Sequence, residues 1–259
     1  MSGKKKMKKK SSKNLYATYR IAKDYESNRL RDNFGKYQHF CEVKTILDYL
    51  EPPSKNTKIL EVGCGTGRIT EELVKKKYNI LATDNSRLML KQYRNKKLLP
   101  KPKLTDATKL PFKNEEFSHI LAIRVIWHLL KKSDRENMIK ECSRVSSNYI
   151  TLDIANKKRL ENPIFKFLVR IYFKLFPRKF PIPKKDYYYS LGQFENLCQK
   201  NKLMIKKVIP LNSLTPVWIN FLPFKIARSI FPILRFFDIL FAPIIPPYRY
   251  MLKLKKIKS

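Results

Sequence analysis

A glycine run and three carboxylates mark where this sequence could do chemistry. Gly63-Cys64-Gly65-Thr66-Gly67 lies between an apolar run, Lys58 to Val62, and an amphipathic stretch from about Arg68 to Lys77. Glycine lets a backbone turn with positive φ and lets a ligand come close. A helix N-terminus behind such a loop offers unpaired N–H groups. Many nucleotide-binding folds use this device, so its neighbours must discriminate. A dinucleotide fingerprint needs glycine at position 68, where Arg68 stands. Glu61, two residues before Gly63, would repel a pyrophosphate and suits a cationic ligand. Asp84 closes the next apolar run, Asn79 to Thr83. A carboxylate there can accept hydrogen bonds from both hydroxyls of a ribose. No phosphate-cradling G-x-x-x-x-G-K loop occurs, which argues against a nucleoside triphosphatase.

These residues need a scaffold, and the apolar periodicity supplies one. Phe40, Val43, Ile46, Leu47 and Leu50 recur at helical spacing until Pro52 and Pro53 stop the helix. Lys58 to Val62 reads as a strand, and a helix follows the glycine run. Asn79 to Asp84 reads as a strand, Ser86 to about Asn95 as a helix and Ser118 to Arg124 as a strand. Ser133 with Glu136 predicts a capping box opening a helix to about Val145, and Asn148 to Ile154 predicts a strand. Ser190 with Gln193 predicts a second capping box and a helix to about Lys200. Leu203 to Ile209 and Tyr248 to Leu254 read as the last strands. Strands alternating with helices predict a parallel sheet covered on both faces.

At this point the motifs resemble a known family. Ile59-Leu-Glu-Val-Gly-Cys-Gly-Thr-Gly67 resembles the first motif of class I S-adenosylmethionine-dependent methyltransferases. Thr83-Asp84-Asn85-Ser86 with Met89-Leu90 resembles the second, and Asp106-Ala-Thr-Lys-Leu-Pro-Phe112 the third. Phe117 to Leu129 resembles the fourth strand and its following loop, and Met138 to Val145 the helix before the fifth strand. The likeness spans roughly 40–155 and resumes at about 187–209, nearest to the branch containing the quinone-biosynthesis methyltransferases. Two departures stand out. Ser146-Ser147-Asn148 replaces the usual Lys-Pro-Gly-Gly turn, and nothing after 155 points to a named substrate.

The resemblance implies an α/β, Rossmann-like sheet of seven strands, mostly parallel, with helices on both faces. Tyr248 to Leu254 would be the antiparallel strand, next to Leu203 to Ile209. It implies S-adenosyl-L-methionine as cofactor, no metal, and roles by position. Gly63, Cys64, Gly65 and Gly67 pass under the methionine and ribose portions, beside Glu61. Asp84, with Asn85, holds the ribose hydroxyls. Asp106, with Ala107, meets the adenine amino group. The backbone near Arg124 touches the methionine end. Tyr25 and Arg29 belong to an N-terminal segment folded over the cofactor. His128 is the candidate general base at the pocket mouth, with packing on Trp127 as its alternative.

Composition bounds the rest. The 259 residues suit one α/β domain, here 15–259, behind a lysine-rich tail at 1–14 that reads as solvated rather than as a signal peptide. Cys41, Cys64, Cys142 and Cys198 make no metal-ligand pair and no disulfide framework. Lys and Arg total 56 against 21 Asp and Glu, a formal charge of +35. Such a field attracts an anionic membrane surface or nucleic acid. Two aromatic-rich inserts, at about 156–186 and 211–246, add basic stripes: Lys166, Arg170 and Lys174 in one, Lys225, Arg228, Arg235 and Asp238 in the other. They read as a pocket lid, an interfacial surface or both. No run is apolar enough to span a membrane. The expectation is a cytoplasmic, peripherally membrane-associated methyltransferase acting on a hydrophobic or amphiphilic small molecule. The charge keeps a nucleic-acid methyltransferase as the alternative, although Ile123-Arg-Val-Ile-Trp127 replaces the N/D-P-P motif of amino-methylating members. A non-catalytic cofactor-binding scaffold is the alternative from another class.

Overall fold

In the computed structural model, residues 19–98, 101–163, 187–214 and 217–257 are described, together with 166, 167, 170, 171 and 174. The three residues of the first insert's predicted basic stripe, Lys166, Arg170 and Lys174, are helical and exposed. Most of the apolar positions between Ile164 and Phe176 lie outside the described residues, as does the tail at 1–14.

Two helices precede the sheet, α1 (Tyr19–Arg29) and α2 (Asn33–Tyr49). Helix α2 starts seven residues before the apolar pattern begins at Phe40, because Asp32 caps it by accepting the Gly35 amide at 2.7 Å. Then come β1 (Lys58–Val62), α3 (Arg68–Lys75), β2 (Asn79–Asp84), α4 (Arg87–Asn95), the two-residue β3 (Lys103–Leu104) and β4 (Phe117–Ala122). Ser86 caps α4 through the Met89 amide. Helix α5 (Lys132–Val145) runs without a loop into β5 (Ser146–Ala155), the tight path that Ser146-Ser147-Asn148 implies. After the short α6 (Lys157–Leu160), α7 (Leu191–Lys200) opens on the complete Ser190–Gln193 capping box. Strand β6 (Leu203–Leu211) is followed by α8 (Phe224–Ser229), α9 (Phe231–Leu240) and β7 (Arg249–Lys256).

The seven strands lie in the order β3-β2-β1-β4-β5-β7-β6. All pairs are parallel except those of β7, which is antiparallel to both β5 and β6. This is the mostly parallel, Rossmann-like sheet that the sequence implies, with the C-terminal strand inserted antiparallel beside β6 as expected. One core cluster includes Leu60, Ile120, Met138, Ile150 and Phe194; a second gathers α2 and α3 around Ile59, Ile80 and Leu121, and a small third joins Cys64, Ala82, Leu90 and Tyr93. The four cysteines are buried as free thiols.

Two expectations need correction. No capping box forms at Ser133: α5 begins two residues earlier, behind Lys131, without a side-chain cap. Arg135 explains the shift. Its buried guanidinium donates to the carbonyls of Leu129 and Leu130 at 2.7 and 2.8 Å and to the Tyr189 hydroxyl at 3.0 Å, fixing the first turn. The second insert is also not one charged-faced segment. Ile230 breaks it into α8 and α9, and its charges do not share a solvent side, since Asp238 is buried while Lys225 and Arg228 are exposed.

Candidate functional site

Strands β1, β2 and β4 end at one edge of the sheet, and the loops leaving them surround a single cleft. Tyr25, Glu61, Gly63, Cys64, Gly65, Asp84, Asn85, Asp106, Ala107, Arg124 and His128, all singled out in the sequence, line it. The chemistry of the cleft comes from three carboxylates and a pair of arginines.

The glycine loop follows β1 and is held by β2, where the Thr83 carbonyl accepts the amides of Gly63 and Cys64 at 2.7 and 2.8 Å. The Gly65 amide donates to Asp84 Oδ2, and the Ser86 amide to Oδ1, both at 2.8 Å. Each carboxylate oxygen keeps a second lone pair for a ligand hydroxyl. Burial raises the Asp84 pKa, opposed by its backbone amides. Asp106 Oδ1 accepts the Thr108 amide and hydroxyl at 2.9 and 2.8 Å, which fixes the loop at the adenine end of the expected site.

The glycines divide the work. Gly65 has φ 57°, and a Cβ there would meet nothing within 4 Å, so its missing side chain leaves the cleft floor open. Gly67 has φ 81° and caps the start of α3, but it does not line the cleft; a Cβ there would run into the Tyr93 ring. A Gly67→Ala variant should therefore lose roughly 1–3 kcal/mol from strain, plus the cost of moving Tyr93. Gly65→Ala carries the strain without the clash. We expect thermal melts to rank Gly67→Ala below Gly65→Ala, while ligand titration shows the larger relative binding loss for Gly65→Ala.

Glu61 is buried against the loop and accepts the Thr70 hydroxyl at 2.5 Å. Burial pushes its carboxyl up to about 7, against the pull of Thr70 and Arg68. A carboxyl poised there can ionise in response to a bound cation.

Sequence reasoning missed the ionic cluster beneath the cleft. Glu42 of α2, fully buried, pairs with Arg68 at 2.6 Å, Arg249 at 2.6 Å and Arg29 at 3.1 Å, with Arg124 at 3.6 Å. Burial alone would raise its pKa, but the four arginines hold it well below the usual carboxylate range. Asp153 of β5 pairs with Arg249 at 2.5 Å and accepts the Arg124 amide at 2.6 Å. That bond holds Arg124 at φ 63°, which turns the chain out of β4 two residues past its end. Arg29, predicted to touch the cofactor, instead sits behind the cleft on Glu42 and Gln38. Arg68 and Arg124 do reach the cleft, and Arg124 Nη1 is buried with no hydrogen-bond partner among the described residues. Other lining residues, to which the sequence assigned no role, include Thr66, Ile69, Met89, Thr105, Ile123 and Leu129. His128 ends a short turn, Ile126–His128, and its Nε2 accepts the Trp127 indole N–H at 3.0 Å.

Comparisons with known proteins agree with this geometry. Residues 59–148 match a family described as "Methyltransferase domain". No curated protein matches the chain significantly. Among solved structures, magnesium protoporphyrin IX methyltransferase from Synechocystis PCC 6803 with bound SAM is similar at TM-score 0.58 and 13% identity, over 97% of this chain and 100% of that one. A possible histamine N-methyltransferase from Thermotoga maritima is similar at TM-score 0.60 and 18% identity, over 92% and 97%. A putative sarcosine dimethylglycine methyltransferase from Galdieria sulphuraria follows at TM-score 0.55 and 15% identity, over 83% and 84%.

Proposed function

We propose that this chain transfers the methyl group of S-adenosyl-L-methionine to a small hydrophobic or amphiphilic acceptor. The observation that carries the reading is one cleft, at the ends of β1, β2 and β4, lined by Gly65, Asp84, Asp106 and Arg124 within a matched methyltransferase domain. The cleft fits the cofactor on its own terms: an open glycine floor, a buried carboxylate with spare lone pairs, and a buried guanidinium nitrogen that makes no hydrogen bond among the described residues and has only the ion pair to Glu42 at 3.6 Å.

Asp84 would hold the ribose hydroxyls and Asp106, with Ala107, the adenine end. Arg124 would take the methionine carboxylate and Glu61 its ammonium group. Tyr25 would cover the cofactor from α1. Arg29 would act at one remove, through Glu42, on the arginines that face the cleft. The cofactor supplies an already activated methyl group, transferred by in-line displacement. The chain's own task is therefore to align an acceptor and exclude water, and alignment of this kind can contribute about 7–11 kcal/mol. Ile123, Val125 and Leu129 give the cleft its apolar wall, which supports an acceptor with a hydrophobic portion. His128 would orient the acceptor; to serve as base it must first release the Trp127 N–H from Nε2.

Glu61 gives a pH signature. A bound ammonium favours the ionised carboxylate, so the Glu61 pKa must fall on binding. Cofactor affinity should then rise with pH through about 7, the value for the free protein, and level off above it. Calorimetry near pH 7 in buffers of different ionisation enthalpy should show proton release that Glu61→Gln abolishes. Proton uptake would contradict the assignment.

The reading as a whole is tested by native mass spectrometry of protein from cells, followed by incubation with methyl-labelled S-adenosylmethionine and a total lipid extract. Retained cofactor and label in an organic-soluble product are expected. Label confined to added RNA would contradict the acceptor class.

A further inference from the structure

Helix α9 is amphipathic in the opposite sense to an ordinary surface helix. Phe231, Leu234, Arg235 and Asp238 share one face at spacings of three and four residues, and that face packs inward. Arg235 donates to Thr45 and Asp48 of α2 at 3.1 and 3.0 Å. Asp238, 1% exposed, accepts the amides of Asn212 and Leu214 at 2.5 and 2.8 Å. The opposite face, Ile233, Phe236, Phe237 and Leu240, is 55, 61, 40 and 54% exposed. A surface helix normally turns its charges to water and its apolar side to the core. Here the only two charges of α9 point in, and the outward face is wholly apolar.

The neighbouring segments continue this surface. Trp218 and Phe221 are 50 and 75% exposed, and Phe224, Ile226, Phe241 and Ile244 are exposed as well. Among the described residues, eleven of the eighteen exposed large hydrophobics fall between 218 and 244. The aromatic side chains alone present an apolar area on the order of several hundred Å². Monomeric proteins seldom leave that much contiguous apolar surface to water without a binding purpose. The surface is also anchored. Asn33 Nδ2 donates to the carbonyls of Ile219 and Leu222 at 2.9 and 2.7 Å, and the Phe34 amide to Asn220 Oδ1 at 2.8 Å. This ties the segment to the first residues of α2, which follows directly on α1, the helix carrying the cleft residue Tyr25.

Charge identifies the occupant. Asp238 is the only acidic residue between Glu195 and the C-terminus, and it is buried. Lys225 and Arg228 flank the apolar face in the open, and Lys36 lies over the Phe224 ring at 3.9 Å. A second copy would bring another +35 against this one. We propose that the face formed by residues 218–244 docks on an anionic lipid surface, with its aromatics in the interface and its basic rim on the headgroups. Among the described residues no helix is long and apolar enough to cross a membrane, so the contact is one of lying on the surface. This inference does not depend on the methyl-transfer reading.

The test is flotation of the full chain with phosphatidylcholine vesicles, with or without phosphatidylglycerol. We expect binding to the anionic vesicles and little to the neutral ones. Phe236→Asp with Leu240→Asp should weaken that binding by at least about tenfold, and Lys225→Glu with Arg228→Glu by a similar factor. All four positions are exposed, and unchanged melting curves would establish that the variants remain folded. A parent chain that ignores anionic vesicles would overturn the proposal. So would a Phe236→Asp, Leu240→Asp protein that floats as the parent does, which would assign binding to general charge. A parent dimer that light scattering shows to be split by the same variant would make the occupant a second copy and overturn it equally.

Discussion

Replacing Glu42 by alanine will cost the protein about 3–5 kcal/mol, the usual result of removing one partner from a buried ionic cluster. The side chain is fully buried and pairs with three arginines at 2.6–3.1 Å, with a fourth at 3.6 Å. Without it, Asp153 alone offsets four guanidinium groups held out of water. For a chain of this size, about 2–4 °C of melting temperature follows each kcal/mol, so a fall of roughly 6–20 °C is expected. Glu42→Gln should behave similarly, because it keeps the shape and loses the charge. The pH dependence has a definite sign. The folded pKa of Glu42 is depressed, so its contribution is present above the unfolded carboxylate pKa and is lost as pH falls through the folded value. Acid melts of the wild type should show this loss and melts of Glu42→Gln should lack it. A melting temperature within about 2 °C of wild type at neutral pH would mean that the cluster is not structural.

Asp84→Ala should produce the largest loss of ligand binding. Both oxygens already order the glycine loop through Gly65 and Ser86, and both face the cleft. Losing two charge-assisted hydrogen bonds to a ribose, each contributing about 1.5–3 kcal/mol, should weaken S-adenosylmethionine binding by at least about a hundredfold. Because the loop amides also lose their acceptor, melting curves must accompany the titration. A folded variant that binds within threefold of wild type would remove Asp84 from the site.

Much of this was legible from the chain. The strand, glycine turn and helix at 58–75, the helix start near Ser86, and the carboxylates at 61, 84 and 106 are local signals, each read within a few residues. The inserted antiparallel strand was legible only with the help of family resemblance, since no local pattern states which strand lies beside which. Three things escaped. Lys103–Leu104 is too short for any period to register. The Glu42–Arg249 pair joins residues 207 positions apart, and a lone acidic residue on a predicted helix reads as surface. The 100° periodicity of α9 separated charges from aromatics but does not say which side faces the core. Gly67 and Arg29 were assigned to the cleft with their motifs, whereas one turns the chain beside Tyr93 and the other supports Glu42.

Fold similarity at 13–18% identity does not carry a reaction with it, so the assignment depends on the cleft. Isothermal titration of the full chain with S-adenosylmethionine, S-adenosylhomocysteine and NAD addresses that cleft most directly. Saturable one-to-one binding of the first two, with none of the third, is the result expected from an acidic loop end at Glu61 and a ribose-facing Asp84. Saturable binding of NAD with no binding of either sulfur-containing ligand would contradict the account.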